Sequence, residues 1–347
     1  MNKISTALLQ KLINTVSPSG DEELVRGLIK KVMKGYVNKI ETDNLGNLIC
    51  RKKGNGPVIV LAAHMDEIGL MVSKVDADGY LKIAAIGGVD TIALVGQKVQ
   101  IMNEKNKVIC HGVITFEEIH DGRSLDRKDI PPISELYVDV GLTKEGCKKK
   151  GIDVGCYIVP LHHFEYLGDK NVISGKALDD RTGCYILIEL ARRLKRAKAD
   201  IYFIFTVQEE IGLYGAKTSI YNLKPEWGIA IDVVSARDGA VGSTRMLGNG
   251  PVITVKDAEM IADRHLNNIL EKIAKKLKIN LQKDVSSFGT TDATNIMLSK
   301  GGTPSTAIGV AVRNIHSTIG ISDMRDIEGT IKILYEFLKN PPKKHVF

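Results

Sequence analysis

In this 347-residue chain, the clearest indication of the fold class is Ile201-Tyr-Phe-Ile-Phe-Thr-Val-Gln-Glu-Glu-Ile-Gly-Leu-Tyr-Gly-Ala216. It begins as a continuous run of β-branched and aromatic residues, which predicts a strand that is buried on both faces. The run ends in two adjacent carboxylates, Glu209 and Glu210. Because open α/β sheets bind ligands at the carboxyl ends of their strands, these two acids are candidates for a functional site.

The two acids are expected to play different roles. Adjacent residues of an extended segment point in opposite directions, so Glu209 and Glu210 cannot easily serve the same atom in the same way. A metal ligand and a general base would suit them. A solvated pair of acids at a strand end is the simpler interpretation, and this stretch alone leaves both open.

The rest of the chain repeats the plan of a buried strand followed by polar residues. Residues 57–63 form an apolar run that leads directly into His64-Met-Asp66-Glu67. Apolar residues at helical spacing predict helices over about residues 180–196, 260–277 and 323–338. Strands that alternate with helices predict an α/β fold with a mostly parallel sheet flanked by helices.

Residues 68–162 have a different pattern, in which six short β-type runs alternate with glycines and no long helix is indicated. This pattern predicts a small all-β domain, a barrel or a sandwich, inserted into an α/β domain formed by residues 1–67 and 163–347. A polar, charged segment over residues 120–132 predicts a long loop inside the insert. Small β-domains expose strand edges, and pairing with a symmetry mate is one way to cover them.

Composition excludes several classes of protein. The 48 basic residues exceed the 41 acidic residues by seven, but they are scattered among acids, which argues against nucleic-acid binding. The five cysteines are odd in number and lack a CxxC pair, which favours a reduced protein without a disulfide framework or a thiolate metal site. No apolar run is long enough to span a membrane, and the first residues lack a signal core. We therefore expect a cytoplasmic protein.

Ligand-type side chains follow β-type runs at five places. They are His64 with Asp66, Asp179, Glu209 with Glu210, Asp232, and His316. Each has a simpler interpretation when taken alone: a buried histidine, the N-cap of a helix, a turn residue or a loop histidine. Their coincidence favours a site for a first-row divalent metal such as zinc, cobalt or manganese. One ligand from each of the five places would exceed a single tetrahedral site. Five ligands suit two metals that share a bridging carboxylate.

These motifs resemble a known family. His64-Met-Asp66, Leu178-Asp-Asp-Arg181, Gln208-Glu-Glu-Ile-Gly212, Ile231-Asp232 and Asn314-Ile-His-Ser317 occur in the order seen in the M42 metalloaminopeptidases. That family includes glutamyl and deblocking aminopeptidases and the tetrahedral TET peptidases. Leu247-Gly-Asn-Gly-Pro251 and Thr291-Asp-Ala293 are similar to it as well. The resemblance covers essentially the whole chain and implies a zinc-peptidase-like fold.

The resemblance implies a two-metal aminopeptidase that removes the N-terminal residue from peptides with a free N-terminus. In that family pattern His64 and Asp232 complete one metal site and Glu210 and His316 complete the other, while Asp179 bridges both. The choice of Asp179 over Asp180 rests on the family pattern alone.

The resemblance also implies the remaining roles. Glu209 would be the general base, and Asp66 would hold the His64 ring and fix its tautomer. Zinc is the first expectation for the two divalent ions, with cobalt and manganese as the other candidates. The inserted barrel-like domain would mediate dimers, which in this family can build a tetrahedral dodecamer, so a homo-oligomer is expected.

Two other functions stay open. Some members of the family carry an endoglucanase label, which would make Glu209 and Glu210 the acid pair of a glycoside hydrolase. Such pairs lie about 5–9.5 Å apart with a sugar between them, and adjacent acids fit this poorly. A chain with one Trp and 5% aromatic residues also offers few surfaces for sugars. The second alternative is a catalytically silent assembly protein stabilised by metals.

Overall fold

The computed structural model describes residues 6–116, 130–238 and 245–342. The loop predicted over residues 120–132 lies outside the described residues except for its last three positions. None of the helices in the described ranges combines the length and hydrophobicity needed to cross a bilayer.

An eight-stranded sheet forms the centre of the α/β domain. In spatial order its strands are β1 (Lys39–Thr42), β2 (Leu48–Lys52), β12 (Asp200–Thr206), β3 (Val58–His64), β13 (Trp227–Ser235), β16 (Ser305–Val312), β14 (Val252–Lys256) and β15 (Gln282–Val285). The four central strands, β12, β3, β13 and β16, are parallel. The antiparallel pairs are β1 with β2, β2 with β12 and β14 with β16, and each includes an outer strand. The predicted mostly parallel α/β sheet is confirmed, and the carboxyl ends of its central strands meet at one edge.

The central strands are apolar on both faces because both faces are covered. In β3, Ile59 and Leu61 belong to the larger core and Val60 and Ala62 to a smaller core on the opposite face. The larger core packs against α1 (Thr6–Asn14), α2 (Glu23–Met33), α4 (Leu178–Arg193), α6 (Arg264–Leu277) and α8 (Met324–Lys339). The short helices α5 (Tyr214–Ser219) and α7 (Ala293–Met297) cover the other face.

Two predicted helix boundaries are wrong. The helix predicted from residue 260 begins at Arg264, because the Asp263 carboxylate accepts a hydrogen bond from the Leu266 N–H at 2.7 Å and caps the helix. The helix predicted to reach residue 196 ends at Arg193, because Leu194 leaves the helical region at φ −77°, ψ 89°.

The inserted all-β part is a closed six-stranded barrel. Its strands are β4 (Gly69–Val75), β5 (Leu81–Ile86), β6 (Lys98–Met102), β7 (Val108–Thr115), β8 (Tyr137–Asp139) and β9 (Tyr157–Pro160), and the short helix α3 (Lys144–Lys150) packs beside them. Each of the six predicted β-type runs overlaps one of these strands. The barrel has its own apolar core. Because it is closed, the expected need to cover free strand edges does not arise.

A small antiparallel sheet joins the barrel region to the rest of the α/β domain. It consists of β10 (Glu165–Tyr166), β11 (Val172–Gly175) and β17 (Gly320–Asp323). The segment after β11 leads into α4, and the segment before β17 carries His316. This sheet therefore places two of the predicted site residues near the ends of the central strands.

Candidate metal centre

The predicted ligands from the large sheet lie where its parallel strands end. His64 is the last residue of β3 and lies in register with Thr206, the last residue of β12. Glu209 and Glu210 follow β12 closely. Asp232 lies within β13, which continues to Ser235, so the prediction that Asp232 follows its β-type run is wrong. Its register with β3 still brings it to the same edge.

The start of α4 separates the roles of Asp179 and Asp180. Neither residue has helical backbone angles, and the regular helix begins after them. The Asp180 carboxylate accepts a hydrogen bond from the Gly183 N–H at 2.8 Å, which is the geometry of a helix cap. A Cβ on Gly183 would lie 2.3 Å from Asp180 Oδ2, so the glycine makes room for this cap. One oxygen of Asp180 therefore caps the helix, whereas both oxygens of Asp179 face histidines.

His64 is the centre of the first group of side chains. Its Nε2 lies 2.8 Å from Asp179 Oδ1, 3.9 Å from Asp232 Oδ1 and 3.9 Å from Glu209 Oε2. One ligand atom each from His64, Asp179 and Asp232 lies close enough to the others to share a metal ion.

His316 is the centre of the second group. Its Nε2 lies 3.6 Å from Asp179 Oδ2 and 3.7 Å from Glu210 Oε2. The two oxygens of Asp179 thus face different histidines, and both groups share this residue. Glu209 and Glu210 also face different histidines, as their adjacency in the chain indicated. All five predicted ligands are brought together.

Asp66 is fully buried and contacts both His64 and the segment that carries Glu209 and Glu210. Its Oδ1 lies 3.4 Å from His64 Nδ1, and its Oδ2 accepts a hydrogen bond from Ser19 Oγ at 2.7 Å. The same carboxylate accepts hydrogen bonds from the backbone N–H groups of Glu209 and Glu210 at 3.1 and 3.2 Å. Asp66 therefore orients both the His64 ring and the turn that carries the two glutamates.

The electrostatics of the cluster suit a bound cation. Burial raises the pKa of Glu209, Glu210 and Asp232 well above the usual range, and neighbouring carboxylates raise it further. Burial alone lowers the pKa of His64, but the nearby carboxylates outweigh it and hold this pKa well above its usual value.

No Lys or Arg nitrogen of the described residues lies within 4.0 Å of the carboxylates of Asp179, Glu209, Glu210 or Asp232. Buried charges in proteins are paired or coordinate metals. The mixed imidazole and carboxylate donors fit a first-row divalent ion. The residues present therefore fit two metal ions.

Sequence reasoning missed two acids beside the cluster. Asp292 is buried and accepts a hydrogen bond from Thr206 Oγ1 at 2.5 Å, and burial raises its pKa to about 6. Glu22 accepts hydrogen bonds from the N–H groups of Gly20 and Gln208, and burial raises its pKa to about 7. Neither acid follows an apolar run. Only the Thr291-Asp-Ala293 motif could have indicated Asp292.

A buried ion network lies behind the start of α4, and it too was missed. Lys176 Nζ lies 2.6 Å from Glu67 Oε2, and Arg181 Nη2 lies 3.3 Å from Glu67 Oε1. Arg181 also donates hydrogen bonds to the backbone carbonyls of Met65 and Leu12. These contacts tie the loop after β3 to both sides of Asp179, so they hold His64 and Asp179 in one relative position.

The cluster opens into a cavity of about 500 Å³. His64, Asp179, Glu209, Glu210, Asp232 and His316 all line it. Its size is within the usual range for small-molecule sites, and it continues beyond the cluster towards β14 and β15. The site can therefore hold a ligand with one end at the candidate ligands and another end elsewhere in the cavity.

Comparison with known proteins places similarity over nearly the whole chain. A family model described as M42 glutamyl aminopeptidase matches residues 46–333. A putative aminopeptidase of Acetivibrio thermocellus is 39% identical over 95% of this chain and 97% of its own length. A lysyl aminopeptidase of Pyrococcus furiosus is 34% identical over 96% of each chain.

Solved structures agree with these relatives. An aminopeptidase from Desulfurococcus kamchatkensis superposes with a TM-score of 0.91 at 37% identity, covering 96% of this chain and 93% of its own. The TET1 peptidase of Pyrococcus horikoshii superposes with a TM-score of 0.86 at 31% identity, covering 96% and 98%. That protein is described as able to assemble into a tetrahedron or a large octahedral shell. Coverage this complete includes both the large sheet and the barrel.

Proposed function

The chain belongs to the M42 glutamyl aminopeptidase family, and from this premise we propose that it removes N-terminal residues from peptides with the help of two divalent metal ions. The family predicted from the motifs is confirmed, and the protein is an aminopeptidase. One observation carries the two-metal proposal: two groups of ligand-type side chains share Asp179 at the carboxyl ends of parallel strands.

Each metal ion would be held by one group. His64, Asp179 and Asp232 would hold the first, and Asp179, Glu210 and His316 would hold the second. When bound, such ions lower the pKa of a coordinated water and polarise the scissile carbonyl. Zinc is the first candidate, with cobalt and manganese next, because the donor set accepts all three.

Glu209 is the proposed general base. Its Oε2 lies beside His64 at the cavity wall but belongs to neither group of candidate ligands. It would take a proton from the attacking water and pass it to the leaving amine of the peptide. Asp66 would keep the His64 ring and the Glu209 backbone in place.

The substrate is a peptide with a free α-amine. A carboxylate at this end of the cavity that holds no metal would bind the positively charged amine through a charge-assisted hydrogen bond. The family description names a glutamyl enzyme and one relative is a lysyl enzyme, so membership leaves the preferred N-terminal residue open.

A panel of aminoacyl-p-nitroanilides tests the function directly. The protein is loaded separately with zinc, cobalt and manganese, and its metal content is measured before each assay. Cleavage of at least one free aminoacyl substrate, and none of its N-acetylated form, is expected. Equal cleavage of the free and acetylated forms would instead identify an endopeptidase or a deacylase.

We also propose that the barrel domain mediates a homo-oligomer. The barrel supplies none of the candidate ligands, and it exposes large apolar side chains, among them Ile92 (61% exposed) and Val154 (64%). The assembly of the similar TET1 peptidase supports this proposal. Light scattering coupled to size exclusion tests it, since a single 38.0 kDa species at micromolar concentration with metal present would refute it.

The two other functions considered from sequence are not favoured. A glycoside hydrolase would need Glu209 and Glu210 to face one sugar, whereas each lies beside a different histidine. A silent assembly protein would have no need for an unligated Glu209 beside a complete set of ligands.

A further inference from the structure

The turn that follows β12 is held by side chains from three other parts of the chain. Four consecutive backbone N–H groups, over residues 207–210, each donate a hydrogen bond of 3.0 to 3.2 Å to one of these side chains. The donors are the N–H groups of Val207, Gln208, Glu209 and Glu210, and the acceptors are Asn47 Oδ1, Glu22 Oε1 and the two carboxylate oxygens of Asp66. The backbone that carries the two glutamates is therefore fixed by long-range contacts.

Carbonyl groups of the same turn are occupied as well. The Val207 carbonyl accepts a hydrogen bond from the Gly215 N–H at 3.0 Å, and the Glu209 carbonyl accepts one from the Gly212 N–H at 3.0 Å. Gln208 has a left-handed backbone with φ 53°, which few residues other than glycine adopt. Such a conformation persists where the surrounding contacts over-determine it. The turn therefore depends on the side chains that accept its N–H groups.

The large sheet brings two of these acceptors to the turn. β12 lies between β2, which is antiparallel to it, and β3, which is parallel to it. Asn47 directly precedes β2 and Asp66 closely follows β3, so both lie beside the carboxyl end of β12. The third acceptor, Glu22, directly precedes α2 and is only 4% exposed. Its Oε1 also accepts a hydrogen bond from the Gly20 N–H at 2.7 Å, which fixes the position of this oxygen.

Glu209 depends on this turn more than Glu210 does. The Glu210 carboxylate belongs to a group of candidate metal ligands, so a bound ion would also hold it. The Glu209 carboxylate belongs to neither group, and its place beside His64 is set by the backbone from which it extends. The N–H group directly before Glu209 in the chain is the one that Glu22 holds.

We propose that Glu22 is a positioning residue for the general base: by holding the N–H of Gln208, it fixes the backbone from which the Glu209 side chain reaches the metal centre. This inference rests on the proposed function, in which Glu209 takes the proton from the attacking water. Loss of the Glu22 contact should therefore lower kcat and leave both KM and metal content unchanged.

The turn requires an oxygen acceptor at this position and does not require its negative charge. Burial, together with the nearby carboxylate of Asp66, raises the pKa of Glu22 to about 7, so the charged form is disfavoured there. The side-chain oxygen of an amide is also a hydrogen-bond acceptor. Glutamine has the same length as glutamate, whereas aspartate keeps the charge but is one methylene shorter.

Two variants of Glu22 distinguish reach from charge, and both are assayed as metal-loaded protein with the best aminoacyl-p-nitroanilide. Glu22→Gln should keep kcat within about threefold of wild type, because the acceptor oxygen remains. Glu22→Asp should lower kcat by about tenfold or more at unchanged KM, because small displacements of a catalytic group are costly. The reverse order, or equal kcat values for both variants and the wild type, would overturn the proposal.

Hydrogen exchange of the metal-free protein gives a second readout that does not depend on activity. Amides of residues 207–210 should exchange faster in Glu22→Asp than in wild type, because the Gln208 N–H loses its acceptor, and Glu22→Gln should restore their protection. The matched control is Glu23→Asp, which makes the same shortening at the next, exposed residue and should alter neither kcat nor exchange. Unchanged exchange in Glu22→Asp would contradict the role of Glu22.

The outcomes separate this inference from the proposed function. Wild-type kcat in Glu22→Asp removes the positioning role and leaves the aminopeptidase intact, whereas failure of the wild type to cleave any substrate with any metal removes both. If Glu22→Asp does not fold, as judged by its circular dichroism, Glu22→Met takes its place. Methionine fills a similar volume and its sulfur is only a weak acceptor, so a wild-type kcat in this variant would equally overturn the proposal.

Discussion

The two halves of the candidate metal centre differ in how firmly the fold holds them. His64 ends a central strand, is 2% exposed, and has Asp66 against its second ring nitrogen. His316 lies in the connection between β16 and β17, has a left-handed backbone with φ 60°, and leaves 43% of its side chain exposed. The first half is built on the sheet, whereas the second depends on a loop.

This difference indicates that the His64 half of the site is the more pre-organised one. Side chains on strands are fixed by the hydrogen bonds of the sheet, while loops are more mobile and more open to solvent. We therefore expect the His64 half to bind its metal more tightly than the His316 half. Asp179 contributes one oxygen to each half, so it couples them.

The largest effect is expected for Asp179→Ala, because this change removes a ligand from both halves. Activity should fall by at least about 10⁴-fold, since metal assistance supplies several kcal/mol to hydrolysis. Metal analysis should show loss from both sites. Asp78→Ala, an exposed acid in a barrel turn, serves as the control and should retain both metals and activity. Loss of a single metal in Asp179→Ala would show that the halves are independent.

The next effect separates the two adjacent glutamates. Glu209→Gln should keep both metals and lower kcat by about 10²–10⁴-fold, because an amide cannot accept the proton from water. Glu210→Gln should instead lower the metal content of the His316 half. Assay and metal analysis of both variants are needed, and identical behaviour of the pair would refute the division of roles.

Asp66→Asn should affect the two halves unequally. Residues that orient a ligating histidine typically contribute about 10–100-fold to metal affinity or activity. The larger loss of affinity is expected for the His64 half, because Asp66 lies against the His64 ring itself but reaches the His316 half only through the backbone N–H of Glu210. Titration with metal followed by calorimetry measures each site. Ser19→Ala, which removes only one hydrogen bond to Asp66, should give a smaller loss.

The smallest effect concerns wild-type protein. Titration with a chelator should remove the two metals in separate steps that differ by about tenfold in affinity or more, since 1.4 kcal/mol of better organisation gives this factor. His316→Ala should abolish the first step and keep the second. A single step that releases both ions together would contradict the asymmetry between the halves.

Much of this architecture could be predicted from the chain itself. Apolar runs that end in ligand-type residues indicated the central strands, and each of the six barrel strands overlaps a predicted β-type run. The two missed acids, Asp292 and Glu22, contact the site through Thr206, Gln208 and their neighbours, which are distant in sequence. The Thr291-Asp-Ala293 motif marks Asp292 in the sequence, but it does not indicate these contacts, because they arise from packing between elements.

The fold class, the family and the residue types of the site follow from the chain alone, because hydrophobic periodicity and motif order can be read without the folded structure. The choice between Asp179 and Asp180 required the folded structure. Asp179 faces both histidines and Asp180 caps α4, because the backbone angles at the helix start direct the two side chains differently. The folded structure also decided that Arg245 pairs with Asp284, which lies 39 residues away in the chain. These outcomes depend on which distant atoms come within hydrogen-bonding distance, and the folded arrangement of the strands sets those distances.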